Sequence, residues 1–189
     1  MEKKTIAITI LLCLTLIFIV ATGATISAFK VAKERVEVER ISIFAQDGIV
    51  VVNNEGQIVT DLEVKSASVG VRPATGEQDP STSIPTTVND AVGTEGAYAC
   101  FKITSSKPYK IVLKSCSFEN GYEENLRNVR LGIMEQKNEP VGGNNVGAVL
   151  TKGESAREKE MVIVVWLDSD TKKSIAGSKI KIELEAVLQ

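Results

Sequence analysis

The sequence predicts an all-β protein, an antiparallel β-sandwich, preceded by an N-terminal hydrophobic helix. Three observations predict it. Short β-branched runs separated by turn-forming residues recur from residue 36 to the end of the chain. The amphipathic helices of a βαβ architecture are missing between them. Residues Thr5 to Phe29 carry no charged side chain, a pattern foreign to a soluble helix with one wet face.

The hydrophobic segment comes first. The run TIAITILLCLTLIFIV follows Lys3 and Lys4. As a helix it satisfies its own backbone groups and reaches across a bilayer core of about 30 Å. The small residues Ala21 to Ala28 suit a signal-peptidase cut after Gly23, Ala24 or Ala28. The length of the apolar run suits an uncleaved anchor equally. Lys3 and Lys4 favour a cytoplasmic N-terminus, although Lys30, Lys33, Arg35 and Arg40 weaken that bias. Residues 1–30 are therefore expected to be a signal peptide or membrane anchor, with the membrane a partner through residues 5–29. Residues 31–189 are expected to be an extracytoplasmic domain, secreted or membrane-anchored.

The domain reads in order as follows. VAKERVEVERISIF is extended with one slip in phase, or prolongs the helix. In GIVVVNNEGQIVTDLEV, Asn53-Asn54-Glu55-Gly56 separates two β-branched runs and predicts a hairpin. Leu62, Val64, Ala67, Val69 and Val71 continue the extended character. Residues 72–96 then change composition, with three prolines and five threonines, and read as a long surface connection. AYACFKIT and YKIVLKSCSF are the next strands. ENGYEENLRN is a turn or one short helical turn. NVRLGIMEQ is a strand, NEPVGGNNVG a loop, and KEMVIVVWLD a buried strand ending in Trp166. KIKIELEAVL alternates cleanly, with Ile180, Ile182, Leu184 and Ala186 on one face.

Cys13 falls in the hydrophobic segment, where it reads as a small hydrophobe. Ser106-Lys107-Pro108-Tyr109 lies near the midpoint between Cys100 and Cys116. A hairpin there sets the two thiols opposite each other, within reach of a disulfide. An exported location favours that bond; two buried free thiols are the alternative.

The chemistry is read mostly from absences. Histidine does not occur, which excludes Ser-His-Asp and Cys-His nucleophiles and imidazole-bound zinc. A net charge of −2 leaves no basic surplus for nucleic acid. No phosphate-binding loop, dinucleotide fingerprint, HExxH or CxxC occurs, so no catalytic residue, cofactor or metal site is assigned and the chain is expected not to be an enzyme. Asp168 and Asp170 in WLDSDTKK are read as turn formers rather than a catalytic carboxylate pair. Trp166 is read as core rather than a sugar platform. Lys172-Lys173 reads as a solvated turn. Glu77, Asp79, Asn89, Asp90 and Glu95 offer oxygen ligands for calcium, but without the spacing of an EF-hand loop.

Gly23-Ala24-Thr25-Ile26-Ser27-Ala28-Phe29 resembles the signal region of the TasA/camelysin-type exported proteins of Gram-positive bacteria. The ending, with Gly153-Glu154-Ser155, MVIVVWLD and AGSKIKIELEAVLQ, is similar to the last strands of that family's β-sandwich. Lys30 stands where such signals commonly carry an acidic or amide residue, and the middle of the chain has no counterpart. The resemblance implies a surface or matrix fibre subunit with a jelly-roll-like domain, and transfers no functional residue.

Two functions follow as expectations. One is a non-enzymatic structural or interaction protein of the cell surface or matrix, self-associating or binding other surface proteins by strand addition, with residues 31–44 as donor. The alternative is a membrane-tethered binding module whose 72–96 loop grips calcium or a glycan.

Overall fold

The computed structural model describes residues 35–72, 83–93, 95–134, 139–169, 171 and 175–189. The expected signal or anchor segment 1–30 lies outside the described residues, and among the described residues no helix is long and apolar enough to cross a membrane.

Residues Arg35–Gln189 form one compact unit. Its strands are β1 (Val36–Ala45), β2 (Ile49–Val52), β3 (Asp61–Leu62), β4 (Val64–Lys65), β5 (Ser68–Val69), β6 (Ala97–Ser105), β7 (Tyr109–Phe118), β8 (Val129–Ile133), β9 (Val141–Gly142), β10 (Val149–Gly153), β11 (Ala156–Leu167) and β12 (Lys179–Leu188). A short helix, α1 (Val88–Gly93), and one 3-10 segment, Glu123–Asn128, complete the described elements. The first sheet runs β10-β7-β12-β1-β3, with β5 also on β1; the second runs β2-β6-β11-β8-β9, with β4 also on β6. The described residues are thus mostly β in two sheets, as the strand pattern predicts.

Period-two alternation builds the core between the sheets. On β6, Ala97, Ala99, Phe101 and Ile103 are buried while Tyr98, Cys100 and Lys102 are half-buried. On β12, Ile180, Ile182, Leu184 and Ala186 are buried, the face read from the sequence. These side chains join Ile41, Ile43, Leu113, Ile163 and Val165 in a single cluster. Each such residue removed from water contributes about 1.5–3 kcal/mol.

Three expectations are corrected. The sandwich is not wholly antiparallel, because β1 pairs with β12 in parallel. A two-residue turn joins only antiparallel neighbours; parallel ones need a long crossover, and here the whole intervening domain is that crossover. Second, the Asn53 turn forms, with Asn53 Oδ1 accepting from the backbone N–H of Glu55 at 3.0 Å and Gln57 at 2.9 Å. The run after it does not continue as one strand, however. It breaks into β3, β4 and β5, which pair in turn with β1, β6 and β1. The segment weaves between the two sheets, and each two-residue piece fills part of one edge.

Third, β6 and β7 are not a hairpin. They lie in different sheets, and Ser106–Pro108 is a corner between them. The Ser105 hydroxyl donates to Lys107 O at 2.8 Å, and Pro108 has no N–H to extend a ladder. Cys100 therefore faces outward opposite Val162, while Cys116 sits in the core opposite Ile182. Both are free thiols; the expected Cys100–Cys116 disulfide has no shared ladder to form across.

Candidate assembly interface

Strand addition requires a row of backbone donors and acceptors open to a newcomer. The described edges offer little. β3, β4, β5 and β9 have two residues each, and the four-residue edge strand β2 has its outer side taken by Ile58 and Val59. β10 is longer, but its pairing with β7 shifts register between Val149 and Thr151, and Lys152 stands exposed on it. Short strands, bulges and edge lysines are the usual devices that discourage pairing.

The one long ladder of β1 is the inner one that it shares with β12. It runs from Glu37↔Lys179 to Ala45↔Ala186, with one shift between Val38 and Arg40. That shift is the slip in phase legible in VEVERISIF. Val36, Val38, Ile41 and Ile43 enter the core from β1. The other side of β1 is held piecemeal: Val36 and Glu37 by β5, Ile41 and Ser42 by β3. Ile43 N–H donates to Thr60 O and Val38 N–H to Ala67 O, both at 2.7 Å. Lys181 on β12 meets Glu39 on β1 at 3.4 Å, and Arg35 meets Glu95 at 3.4 Å. Of residues 31–44, expected as a free donor, residues 31–34 lie outside the described residues and 36–44 are housed in the first sheet as part of β1. Their apolar alternation suits any sandwich core, their own included.

Trp166 is core, as expected, but not of the main core. Along β11, Ile163, Val165 and Leu167 point inward; Val164 and Trp166 point out and are buried beneath residues 84–91. Ile84, Val88 and Ala91 press on this outer face. Gly132 leaves room for the cover, since a Cβ there would lie 2.6 Å from Ile84 Cγ1. Arg72 is buried, sits 5.4 Å from the Trp166 ring centroid and donates to Ser83 O at 2.6 Å. It therefore ties residue 72 to residue 83.

Of the candidate calcium ligands of this stretch, Glu95 pairs with Arg35 and Asp90 serves the helix α1. Glu77 and Asp79 lie outside the described residues. Asp90 closes a capping box on α1: its carboxylate accepts from Thr87 N–H at 3.1 Å, and Asp90 N–H donates to Thr87 Oγ1 at 3.1 Å. The side-chain bonds from Thr87 and Thr86 hold the Asp90 carboxyl below its ordinary pKa. Among the described residues no group of three His, Cys, Asp or Glu side chains is placed to hold a metal.

Asp168 is buried and binds the Arg130 guanidinium, Nη2 to Oδ2 at 2.7 Å and Nε to Oδ2 at 3.1 Å. Expected as a turn former, Asp168 serves the turn through its backbone oxygen, which accepts from Thr171 Oγ1 at 2.7 Å, while its carboxylate pairs with Arg130. Asp170, Lys172 and Lys173 lie outside the described residues. The Arg130 pairing escaped the sequence reading. Its signal is cross-strand geometry: Arg130 lies opposite Trp166 on β11, and Asp168 is the next outward residue.

The two domain thiols differ. Burial pushes Cys116 up to about 12. Cys100 is half-buried beside a cleft of about 210 Å³ lined by Asn53, Glu55, Glu63 and Lys65, and desolvation raises its pKa. Neither environment favours a thiolate.

No protein-family model matches the chain, and no curated protein matches it.

Proposed function

We propose that this chain is a non-enzymatic, exported cell-surface or matrix protein that assembles by strand addition. The observation that carries the proposal is the placement of β1. It is a central strand whose only long ladder is to β12, and its other flank is held by two short pieces. Withdrawing β1 opens the edge of β12 and the apolar slot for Val36, Val38, Ile41 and Ile43 together. The segment that fits that slot is β1 of a second copy, so addition here means exchange. The blunted outer edges support the same reading, because they leave no simpler route.

The reading takes the sandwich as jelly-roll-like and residues 1–30 as signal peptide or membrane anchor. Thr5–Phe29 supports the export step, and the resemblance to TasA/camelysin-type proteins supports the surface role. Electron microscopy of the native protein over a concentration series tests it, together with a mixing experiment. Glu37 and Lys179 are register partners, so Glu37→Cys and Lys179→Cys variants, mixed and oxidised, form a crosslinked dimer if β1 exchanges. Monomers at every concentration with no crosslink would overturn the proposal.

A further inference from the structure

β1 can leave the first sheet from one end only. At its far end residues 46–48 join it directly to β2 in the second sheet. Gln46 is also tied to β12, its N–H donating to Ala186 O at 2.9 Å and its Oε1 accepting from Leu188 N–H at 3.0 Å. Withdrawal therefore starts at Arg35, the first residue of the compact unit. There Gly177 N–H donates to Arg35 O at 2.8 Å and Glu37 N–H to Ser178 O at 3.0 Å. A side-chain contact joins these bonds: the Arg35 guanidinium meets Glu95 at 3.4 Å.

Glutamate is a poor local choice at position 95. The helix α1 ends in a Schellman motif, with Gly96 N–H donating to Ala91 O at 2.7 Å and Glu95 N–H to Val92 O at 3.0 Å. Glu95 is the left-handed residue of that motif, at φ +58°, the position glycine fills most readily. A carboxylate there also faces the negative end of the helix. What the residue gains is long-range. Its backbone O accepts from Gly70 N–H at 3.0 Å, just past β5, which pairs with Val36 and Glu37. Its carboxylate lies across Gly70, where any Cβ would collide with it, and from there it reaches Arg35. Strain held at one residue for a contact made elsewhere is a pattern of switch regions.

Arg35 has its own reason to leave once unpaired. Its Nε is buried and makes no hydrogen bond among the described residues. Without Glu95, water satisfies that donor only if the guanidinium swings out, and Val36 is the next residue to follow.

We infer that the Arg35–Glu95 pair is a latch on β1, holding shut the end at which the strand opens. As a regulator of assembly the latch rests on the β1 exchange proposed above. The pair is partly exposed, so it tunes opening rather than forbidding it, and salt weakens it.

The test is amide hydrogen exchange on the full chain in detergent micelles, read at Glu37 and Val38, at residues 88–93 and in β6. Glu95→Gly removes the carboxylate and suits the left-handed backbone. It is expected to speed exchange at Glu37 and Val38 about two- to fivefold, with β6 unchanged and residues 88–93 unchanged or slower. Arg35→Gln is expected to match it, and the double variant to add nothing. Salt at about 1 M is expected to reproduce the effect in the native chain and not in Glu95→Gly. Unchanged Glu37 and Val38, or equal speeding at residues 88–93, would overturn the latch. Mixing the Glu37→Cys and Lys179→Cys chains reads strand exchange separately. Faster crosslinking when both also carry Glu95→Gly supports latch and exchange together. A loosened β1 that never crosslinks supports the latch and removes the exchange.

Discussion

The Tyr109 ring lies directly over Gly153, its partner across β7 and β10. A Cβ on Gly153 would come within 2.2 Å of Tyr109 Cζ. The aromatic covers a glycine that would otherwise leave an edge strand bare. Gly153→Ala is therefore expected to cost about 1–3 kcal/mol through overpacking, read as a lower urea midpoint. The Tyr109 hydroxyl is buried without a hydrogen-bond partner. Tyr109→Phe removes that unmet group and is expected to leave the midpoint unchanged or higher.

Trp166, the sole tryptophan, reports on the cover over the second sheet. Its emission is expected to be blue-shifted and poorly quenched by acrylamide in the native protein. Trp166→Ala is expected to cost about 3–5 kcal/mol and to speed proteolytic cutting within residues 83–93. A stable variant with an uncut cover would show that these residues are held from elsewhere.

The thiols are expected to label in order. Cys100, half-buried at the surface, reacts with iodoacetamide in the native protein; Cys116 reacts only after denaturation. Intact mass of the alkylated native chain counts the events, and a disulfide would block both.

Cys116 also sets a pH dependence. Its folded pKa is about 12, against an ordinary 9.0. Below pH 9 both states keep the proton, and its contribution to stability is complete. Between 9 and 12 the unfolded chain loses a proton the folded chain retains, so stability falls, by up to about 1.4 kcal/mol per pH unit. Buried Tyr109, also raised, steepens the fall at the upper end. Cys116→Ala is expected to flatten the slope from pH 9; an unaltered slope would assign it to other groups.

The cap on α1 works in the opposite direction. Asp90 has a lowered pKa, so its support is present above the ordinary carboxylate range and lost as acid protonates it. Amide exchange in residues 88–93 is expected to accelerate on acidification relative to β6. Thr87→Ala is expected to open the same residues at neutral pH, by about 1 kcal/mol.

Much of the fold was legible because alternation is a local signal. β6, β11 and β12 lie where their apolar periods place them, and the slip in VEVERISIF is the shift in the β1–β12 ladder. What was not legible depends on partners far along the chain. Nothing in FKITSSKPYKIVLKS distinguishes a hairpin from a corner, since both need the same turn residues. Nothing in TDLEVKSASV announces that successive pairs of residues serve opposite sheets. The cap at Thr87 and Asp90 spells a capping box, yet the prolines and glycines around it outweighed so short a helix. The Arg130 environment depends on cross-strand register and that of Arg72 on distant residues, which no single segment carries.

The side-by-side placement of β1 and β12 has a consequence for the birth of the protein. β1 waits for β12 before its ladder can close, and well over a hundred residues separate the two. The first sheet therefore stays open until the chain has grown through residue 188, and it closes by a contact of high sequence separation, a slow kind of step.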